Sequence, residues 1–331
     1  MQKLFQAAIT GIAHYLPEDR LTNADLEKMV DTSDEWITSR TGIKERRILG
    51  KGLGTSYMGT KALETLLQKK GLDAKEIDLI VVATITPDML FPATACLIQN
   101  QIGATNAWAF DLSAACSGFL YALIVGAQFI ETGAHKKVIV IGADKMSSIM
   151  DYTNRDTCVL FGDGAGVVLL EPAEEGMGLQ DFVLHADGSG VEHLRQPGGG
   201  SLHPSTHETI DQKLHFIHQD GREVFKFAVP RMAEVSAQIL ERNGLTGQDI
   251  ALFVPHQANK RIIDACIKRT DLPPDRVVIN IDRYANTSAG TIPIGLSEAV
   301  DHGRVKRGDK VLLASAGAGY TWGSALLTWA Y

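Results

Sequence analysis

Short apolar runs punctuate the chain, and the runs come in matched pairs. IDLIVVATITP (77–87) is apolar and β-branched after acidic residues, which predicts a strand buried on both faces. DIALFVPHQA (249–258) repeats that pattern. GFLYALIV (118–125) is apolar nearly all round and predicts a buried helix. KVIVIGA (137–143) and KVLLASA (310–316) form a second strand pair. FGDGAGVVLL (161–170) and SAGAGYTWGSALL (315–327) each set a glycine-rich turn before an apolar run. Asp78 aligns with Ile250 and Val82 with Val254 at an offset of 172, which also places Cys116-Ser117-Gly118 on Ser288-Ala289-Gly290. The second strand pair is 173 apart and the two Gly-Ala-Gly triplets 153 apart, so about twenty extra residues are expected around 144–160. Four matches in one order predict a duplicated domain.

Each half reads as strand, helix, strand, helix and paired strands, an α/β pattern with a central mixed sheet and covering helices. The halves divide near EPAEEGMG (171–178), giving 1–174 and 175–331. Segments 17–58 and 185–222 break the regular pattern and are expected to be functional loops or caps. The N-terminal MQKLFQAAITGIAHYLPEDR reads as a first strand running into a loop at Pro17 rather than as a signal peptide. No apolar run reaches the ~18 residues of a membrane span, so a cytoplasmic protein that does not engage the membrane is expected.

Composition narrows the function classes. The 331 residues carry a net charge of −7, which argues against a nucleic-acid face but permits a local basic patch. Four cysteines without a CxxC pair give neither a disulfide framework nor a zinc site and fit a reducing compartment. Histidines 203, 207, 215 and 218 lie in a polar stretch without thiol or acidic partners, so no metal is expected. GKGLG (50–54) and GDGAG (162–166) read as turns rather than nucleotide loops, because neither has the required context.

Cys116 stands out against this background. It lies at the start of the apolar helix, within a collar of small residues from Ser113 to Gly118. A helix N-terminus offers unpaired N–H groups and a positive dipole end, which favour thiolate and predict a lowered pKa. The competing reading is a buried cysteine acting as a small hydrophobe, and Cys96, Cys158 and Cys266 are taken that way. His256 directly follows a strand, where sites gather in parallel sheets. Asn286 precedes the small-residue helix start that the repeat matches to the Cys116 turn. Pseudo-symmetric halves would turn these three residues toward one pocket. The order Cys, His, Asn also occurs in papain-like proteases, but their C-G-[SA]-C-[WY] signature is missing.

DEWITSRTGIKERR (34–47), DLSAACSGF (111–119), FGDGAG (161–166), DGREVFKFAV (220–229), PHQANKRII (255–263), YANTSAGTIPI (284–294) and GYTWGSAL (319–326) together resemble the β-ketoacyl-acyl-carrier-protein synthase III family. These are the initiating condensing enzymes of bacterial type II fatty acid synthesis, and the resemblance spans essentially the whole chain. It implies a duplicated thiolase-like fold and an acyltransferase that needs neither cofactor nor metal. It implies that Cys116 is acylated by an acyl-CoA primer, with the N–H groups of Cys116 and Ala318 as the oxyanion hole. His256 and Asn286 would then hold the thioester carbonyl of malonyl-acyl-carrier protein during decarboxylation. The same resemblance gives Trp36 and Arg155 to the CoA adenine, Arg40 to its phosphates and Asn259 to its pantetheine arm. It gives Lys226, Arg261, Lys268 and Arg269 to carrier-protein docking. It also implies a homodimer in which Phe91 of the partner subunit limits the acyl pocket. Three positions depart from the family pattern: Ala318 between Gly317 and Gly319, Tyr320 for a common phenylalanine, and DYTNRDT (151–157) at the CoA mouth. Ala318 is accommodated without strain only at negative φ.

Overall fold

The computed structural model describes residues 5–331. The first half contributes β1 (Gln6–Tyr15), β2 (Leu79–Ala83), β3 (Trp108–Leu112), β4 (Val138–Lys145) and β5 (Asp163–Ala173), in the spatial order β1-β5-β4-β2-β3. The second half contributes β6 (Gly178–Ala186), β7 (Leu252–Pro255), β8 (Lys310–Gly317) and β9 (Thr321–Thr328), in the order β7-β8-β9-β6. Each sheet contains a matching parallel pair (β4 with β2, β8 with β7), and the strand that returns after it is antiparallel. β1 runs antiparallel to β5 and ends before Pro17, as expected.

The seven main helices are α1 (Asp34–Thr41), α2 (Thr55–Lys70), α3 (Thr94–Gln101), α4 (Gly118–Glu131), α5 (Gly221–Arg242), α6 (Lys260–Thr270) and α7 (Thr291–Asp301), all but α1 covering the sheets. α2 and α3 pack outside the first sheet, α5 and α6 outside the second, and α4 and α7 lie between the sheets. Because α4 has sheet on both sides, its sequence is apolar nearly all round. The duplicated α/β architecture expected from the repeat is the one observed.

The structure corrects the register of that repeat. Leu79, Val81 and Ala83 of β2 face the central helices, while Ile80 and Val82 face outward. In β7, Leu252 and Val254 face the centre and Phe253 faces outward. Leu79 pairs with Val138 and Leu252 with Val311, each partner 173 residues further on. An offset of 172 would exchange the two faces of the strand, because side chains alternate with period two. The same 173 relates Gly118 and Thr291, the first residues of α4 and α7. Cys116 therefore corresponds to Ala289, not Ser288.

The Gly-Ala-Gly match is also overturned. Gly164-Ala165-Gly166 lie in β5, whereas Gly317 ends β8 and Ala318 to Tyr320 form the hairpin. Asp144 pairs with Gly164, while Gly317, 173 after Asp144, pairs with Thr321, 157 after Gly164. The first half thus has sixteen extra residues at this connection, not about twenty. They carry the short helix Arg155–Cys158.

Candidate active site

Cys116 sits in a one-turn 3-10 segment (Ala115–Ser117) between β3 and α4. Ala115 enters it at φ 48°, a left-handed conformation that turns the chain sharply and projects Cys116 inward. Ser288, at the equivalent position before α7, has φ 51°. Both halves build the same turn at the carboxyl side of their sheets. The two turns touch each other, and the one before α7 also presses on β4: a Cβ on Gly142 of β4 would lie 2.2 Å from the Ala289 carbonyl oxygen. Only glycine fits that approach. The Ser315 hydroxyl donates to the Cys116 carbonyl at 2.9 Å and fixes the turn to β8.

His256 follows the last residue of β7, and its N–H donates to the Ala314 carbonyl of β8 at 2.8 Å. Its ring is buried, with Nδ1 2.6 Å from the Thr291 hydroxyl. Nε2 is buried and has no hydrogen-bond partner among the described residues. Asn286 is held by its backbone, donating to the Leu160 carbonyl and accepting from the Gly162 N–H, both at 3.0 Å. Its Oδ1 accepts the Ser288 N–H at 2.8 Å, so its amide is left to face the Cys116 thiol. Cys116, His256 and Asn286 line a single cavity. Its other walls are largely apolar and include Phe161, Val224, Phe225, Ala228 and Ile262.

The electrostatics overturn one expectation. Burial pushes the Cys116 thiol up to about 12, and the Asp144 carboxyl group beside it adds to the rise. Asp144 is buried at the end of β4, where one oxygen accepts from Thr84, Ile85 and Thr86 and the other from the Ala289 N–H. Desolvation outweighs the helix end and the nearby hydrogen bonds, so the resting thiol is protonated rather than activated. His256 is pulled down to about 3 by burial and is a neutral imidazole.

A second cavity opens beside the first and is lined by Trp36, Arg40, Arg222, Phe225, Lys226, Asn259 and Arg261. Ser33 caps α1 by accepting the Trp36 N–H, and Gly42 ends that helix at φ 86°, which fixes Trp36 and Arg40 at the mouth. The Arg40 and Arg155 guanidinium groups lie 4.9 and 5.1 Å from the Trp36 ring centroid. At that distance no base fits between Trp36 and Arg155, so an adenine sandwich requires Arg155 to swing outward. The Asn259 Oδ1 caps α6 at the Arg261 N–H, and its amide donates to the Arg40 carbonyl. One amide hydrogen is left for a ligand.

The four cations assigned to docking separate into two places. Lys226 and Arg261 share the mouth, where Lys226 pairs with Glu223 at 2.7 Å and Arg261 stacks on Phe225. Lys268 and Arg269 sit in the last turn of α6, about 10 Å along the axis from Arg261. Arg269 lies 3.6 Å from Glu241. Phe91 is 84% exposed on a loop with exposed Leu90 and Met89, outside both of these cavities. Ala318 is not among the residues with positive φ, so alanine is accommodated in the hairpin. Sequence reasoning missed Arg222, Asp144 and Thr291. Asp144 had a usable signal, an acid at the carboxyl end of the KVIVIGA strand.

Two family models match the chain: 3-oxoacyl-[acyl-carrier-protein (ACP)] synthase III over residues 110–188 and its C-terminal counterpart over residues 240–329. The β-ketoacyl-[acyl-carrier-protein] synthase III of Chlorobium luteolum is 59% identical over 98% of this chain and 99% of its own. The enzyme of the same description from Koribacter versatilis is 52% identical over the full length of both chains. The crystal structure of 3-oxoacyl-[acyl-carrier-protein] synthase III from Aquifex aeolicus superposes with a TM-score of 0.90 at 46% identity, covering 98% of this chain and 100% of that one. The priming β-ketosynthase of the R1128 polyketide pathway superposes with a TM-score of 0.92 at 32% identity, covering 100% and 98%. The shared length, fold and identity leave one assignment: this chain belongs to the β-ketoacyl-[acyl-carrier-protein] synthase III family.

Proposed function

We propose that this chain catalyses the decarboxylative condensation of an acyl-CoA primer with malonyl-acyl-carrier protein, giving β-ketoacyl-acyl-carrier protein, CoA and CO2 and so starting fatty acid synthesis. One observation carries the reading: Cys116, the unpartnered Nε2 of His256 and Asn286 line one largely apolar cavity. The half of the chain up to residue 174 supplies the nucleophile, and the half from 175 supplies the two hydrogen-bond donors.

In the first step the Cys116 sulfur attacks the primer thioester. The N–H groups of Cys116 and Ala318 hold the tetrahedral oxyanion. The carbon–sulfur bond to CoA breaks, and the thiol proton ends on the CoA sulfur. Trp36, Arg40, Arg155 and Asn259 hold the CoA at the mouth. In the second step the malonyl-bearing arm of malonyl-acyl-carrier protein enters the emptied cavity. His256 and Asn286 donate to its thioester carbonyl and stabilise the enolate formed as CO2 leaves. The enolate carbon attacks the acyl carbonyl, the carbon–sulfur bond to Cys116 breaks, and the departing thiolate takes a proton from solvent. A neutral imidazole suits this work, because it donates a hydrogen bond without handing its proton to the enolate.

Lys226, Arg261, Lys268 and Arg269 attract the acidic carrier protein, with Lys226 and Arg261 lining the second cavity. The exposed Met89-Leu90-Phe91 loop supports a homodimer in which Phe91 of the partner subunit closes the acyl pocket. Four unpaired cysteines support a cytoplasmic location, and among the described residues no helix is long and apolar enough to cross a membrane. Intact-protein mass spectrometry with a panel of acyl-CoAs tests the first step. An acyl-sized mass gain that disappears in Cys116→Ser is expected, and the fastest acyl group names the primer. An equal gain in Cys116→Ser would overturn the covalent mechanism.

A further inference from the structure

We propose that Thr291 is a positioning residue: its hydroxyl donates to Nδ1 of His256 and thereby places the ring proton on Nε2, the nitrogen that faces substrate. The inference rests on His256 acting as a donor to the malonyl thioester. A neutral imidazole carries one N–H, and which nitrogen holds it is set by the bond the other nitrogen makes. Nδ1 and the Thr291 Oγ1 lie 2.6 Å apart in a buried contact. Two arrangements fill that distance. If Nδ1 donates, the Thr291 hydroxyl proton needs another acceptor, and none exists among the described residues. A buried hydroxyl would then be stranded, and Nε2 would show only a lone pair to the cavity. If the hydroxyl donates, it is satisfied and Nε2 carries the proton.

The supporting frame is stiff. Thr291 is the first residue of α7 and β-branched, so its side chain has few rotamers. The His256 N–H is tied to Ala314, so the ring is held from behind as well. The choice of a hydroxyl also has chemical sense. A carboxylate at Nδ1 would favour imidazolium, which could protonate the enolate before the new carbon–carbon bond forms. A hydroxyl orients the ring and adds no charge. His256 and Thr291 come from different segments of the second half, so folding of that half assembles the donor.

Nitrogen-15 NMR of histidine-labelled enzyme and separate assays of the two half-reactions test this. In the unliganded wild type, His256 is expected to show a protonated Nε2 and an unprotonated Nδ1. Thr291→Val keeps the shape and removes the hydroxyl. It is expected to mix the tautomers and to slow malonyl decarboxylation about 10- to 100-fold, while acylation of Cys116 falls far less. Thr291→Ser is expected to restore both the tautomer and most of the rate. A wild-type His256 protonated at Nδ1 would overturn the proposal, as would a folded Thr291→Val that decarboxylates at the wild-type rate. If Thr291→Val fails to fold, the wild-type spectrum and Thr291→Ser still decide. His256→Ala separates the underlying reading: unchanged decarboxylation in that variant removes His256 as a donor, while the NMR spectrum judges the tautomer independently.

Discussion

Gly317 ends β8 directly against the Cys116 turn, and if Cys116 is the nucleophile as proposed, Gly317→Ala should damage acylation more than it damages the fold. A Cβ at 317 would lie 2.9 Å from both the backbone nitrogen and the Cβ of Cys116, and 3.2 Å from its Cα. Neither side can yield cheaply. The Cys116 carbonyl is held by Ser315, the Ser117 hydroxyl by the Thr321 carbonyl, and the Ala114 carbonyl by the Thr321 hydroxyl. Gly317 itself is paired with Thr321 across the β8–β9 hairpin. Reaching ordinary contact requires the turn to move by about 0.5 Å. Overpacking of this kind costs ~1–3 kcal/mol, a melting shift of roughly 2 °C per kcal/mol in a chain of this size. Misplacing a reacting atom by 1 Å costs about 100-fold, so half that shift predicts roughly a tenfold slower acylation. Losing alignment of the Cys116 N–H with the oxyanion deepens the loss toward about 100-fold. Acylation time courses by intact-mass spectrometry, beside a thermal melt, measure both effects. Gly188→Ala, where a Cβ meets nothing within 4 Å, is the control. Wild-type acylation and melting in Gly317→Ala would refute the idea that this close approach holds the nucleophile.

Three further outcomes are expected. Burial raises the Cys116 thiol from 9.0 to about 12, so the native protein keeps a proton that the unfolded chain releases across that window. Stability from this group is intact below about pH 9 and is lost as pH rises toward 12. Peptide-resolved iodoacetamide labelling should find Cys116 nearly inert at pH 7 and faster at each step above, with exposed Cys96 labelled first. A Cys116 rate that levels off below pH 8 contradicts the shift. His256→Ala and Asn286→Ala should each still form the acyl-enzyme but release CO2 from malonyl-carrier protein at least about 100-fold more slowly. Loss of acylation with decarboxylation intact would reverse the assigned roles. Trp36→Ala should raise KM for acyl-CoA by about fivefold through lost stacking, and more than KM for malonyl-carrier protein. An equal rise in both would move Trp36 out of the nucleotide site.

Chemistry-bearing residues were more legible in the sequence than the geometry that governs them. Cys116, His256 and Asn286 each end an apolar run or begin a small-residue turn, and local pattern exposes such places. The register was not legible, because an offset of 172 matches Cys116 to Ser288 by residue type while the sheets enforce 173 by which face each side chain takes. Residue likeness carries no information about pleat. The surroundings of the four docking cations were legible only in part: Lys226 and Glu223 lie three residues apart on α5, a pairing the sequence displays, whereas Arg269 of α6 meets Glu241 of α5 only once the two helices lie side by side.

The thiol shows the limit most clearly. A helix start predicts a lowered pKa, and the helix start is there. The opposing influences are removal from water and the Asp144 carboxyl group, which lies 28 residues along the chain and reaches Cys116 only because β4 ends beside the turn. Both are properties of the assembled interior. Asp144 also joins the halves: from the end of β4 it accepts the Ala289 N–H of the turn before α7, at the position the corrected repeat makes equivalent to Cys116. The carboxyl group that adds to the rise caused by burial is thus also a tie between the two halves. A protonated resting thiol is compatible with the proposed first step, which returns that proton to CoA. It leaves the cysteine unreactive toward adventitious electrophiles until a thioester enters the proposed oxyanion hole, where the charge formed on attack would move from sulfur to a carbonyl oxygen met by the Cys116 and Ala318 N–H groups.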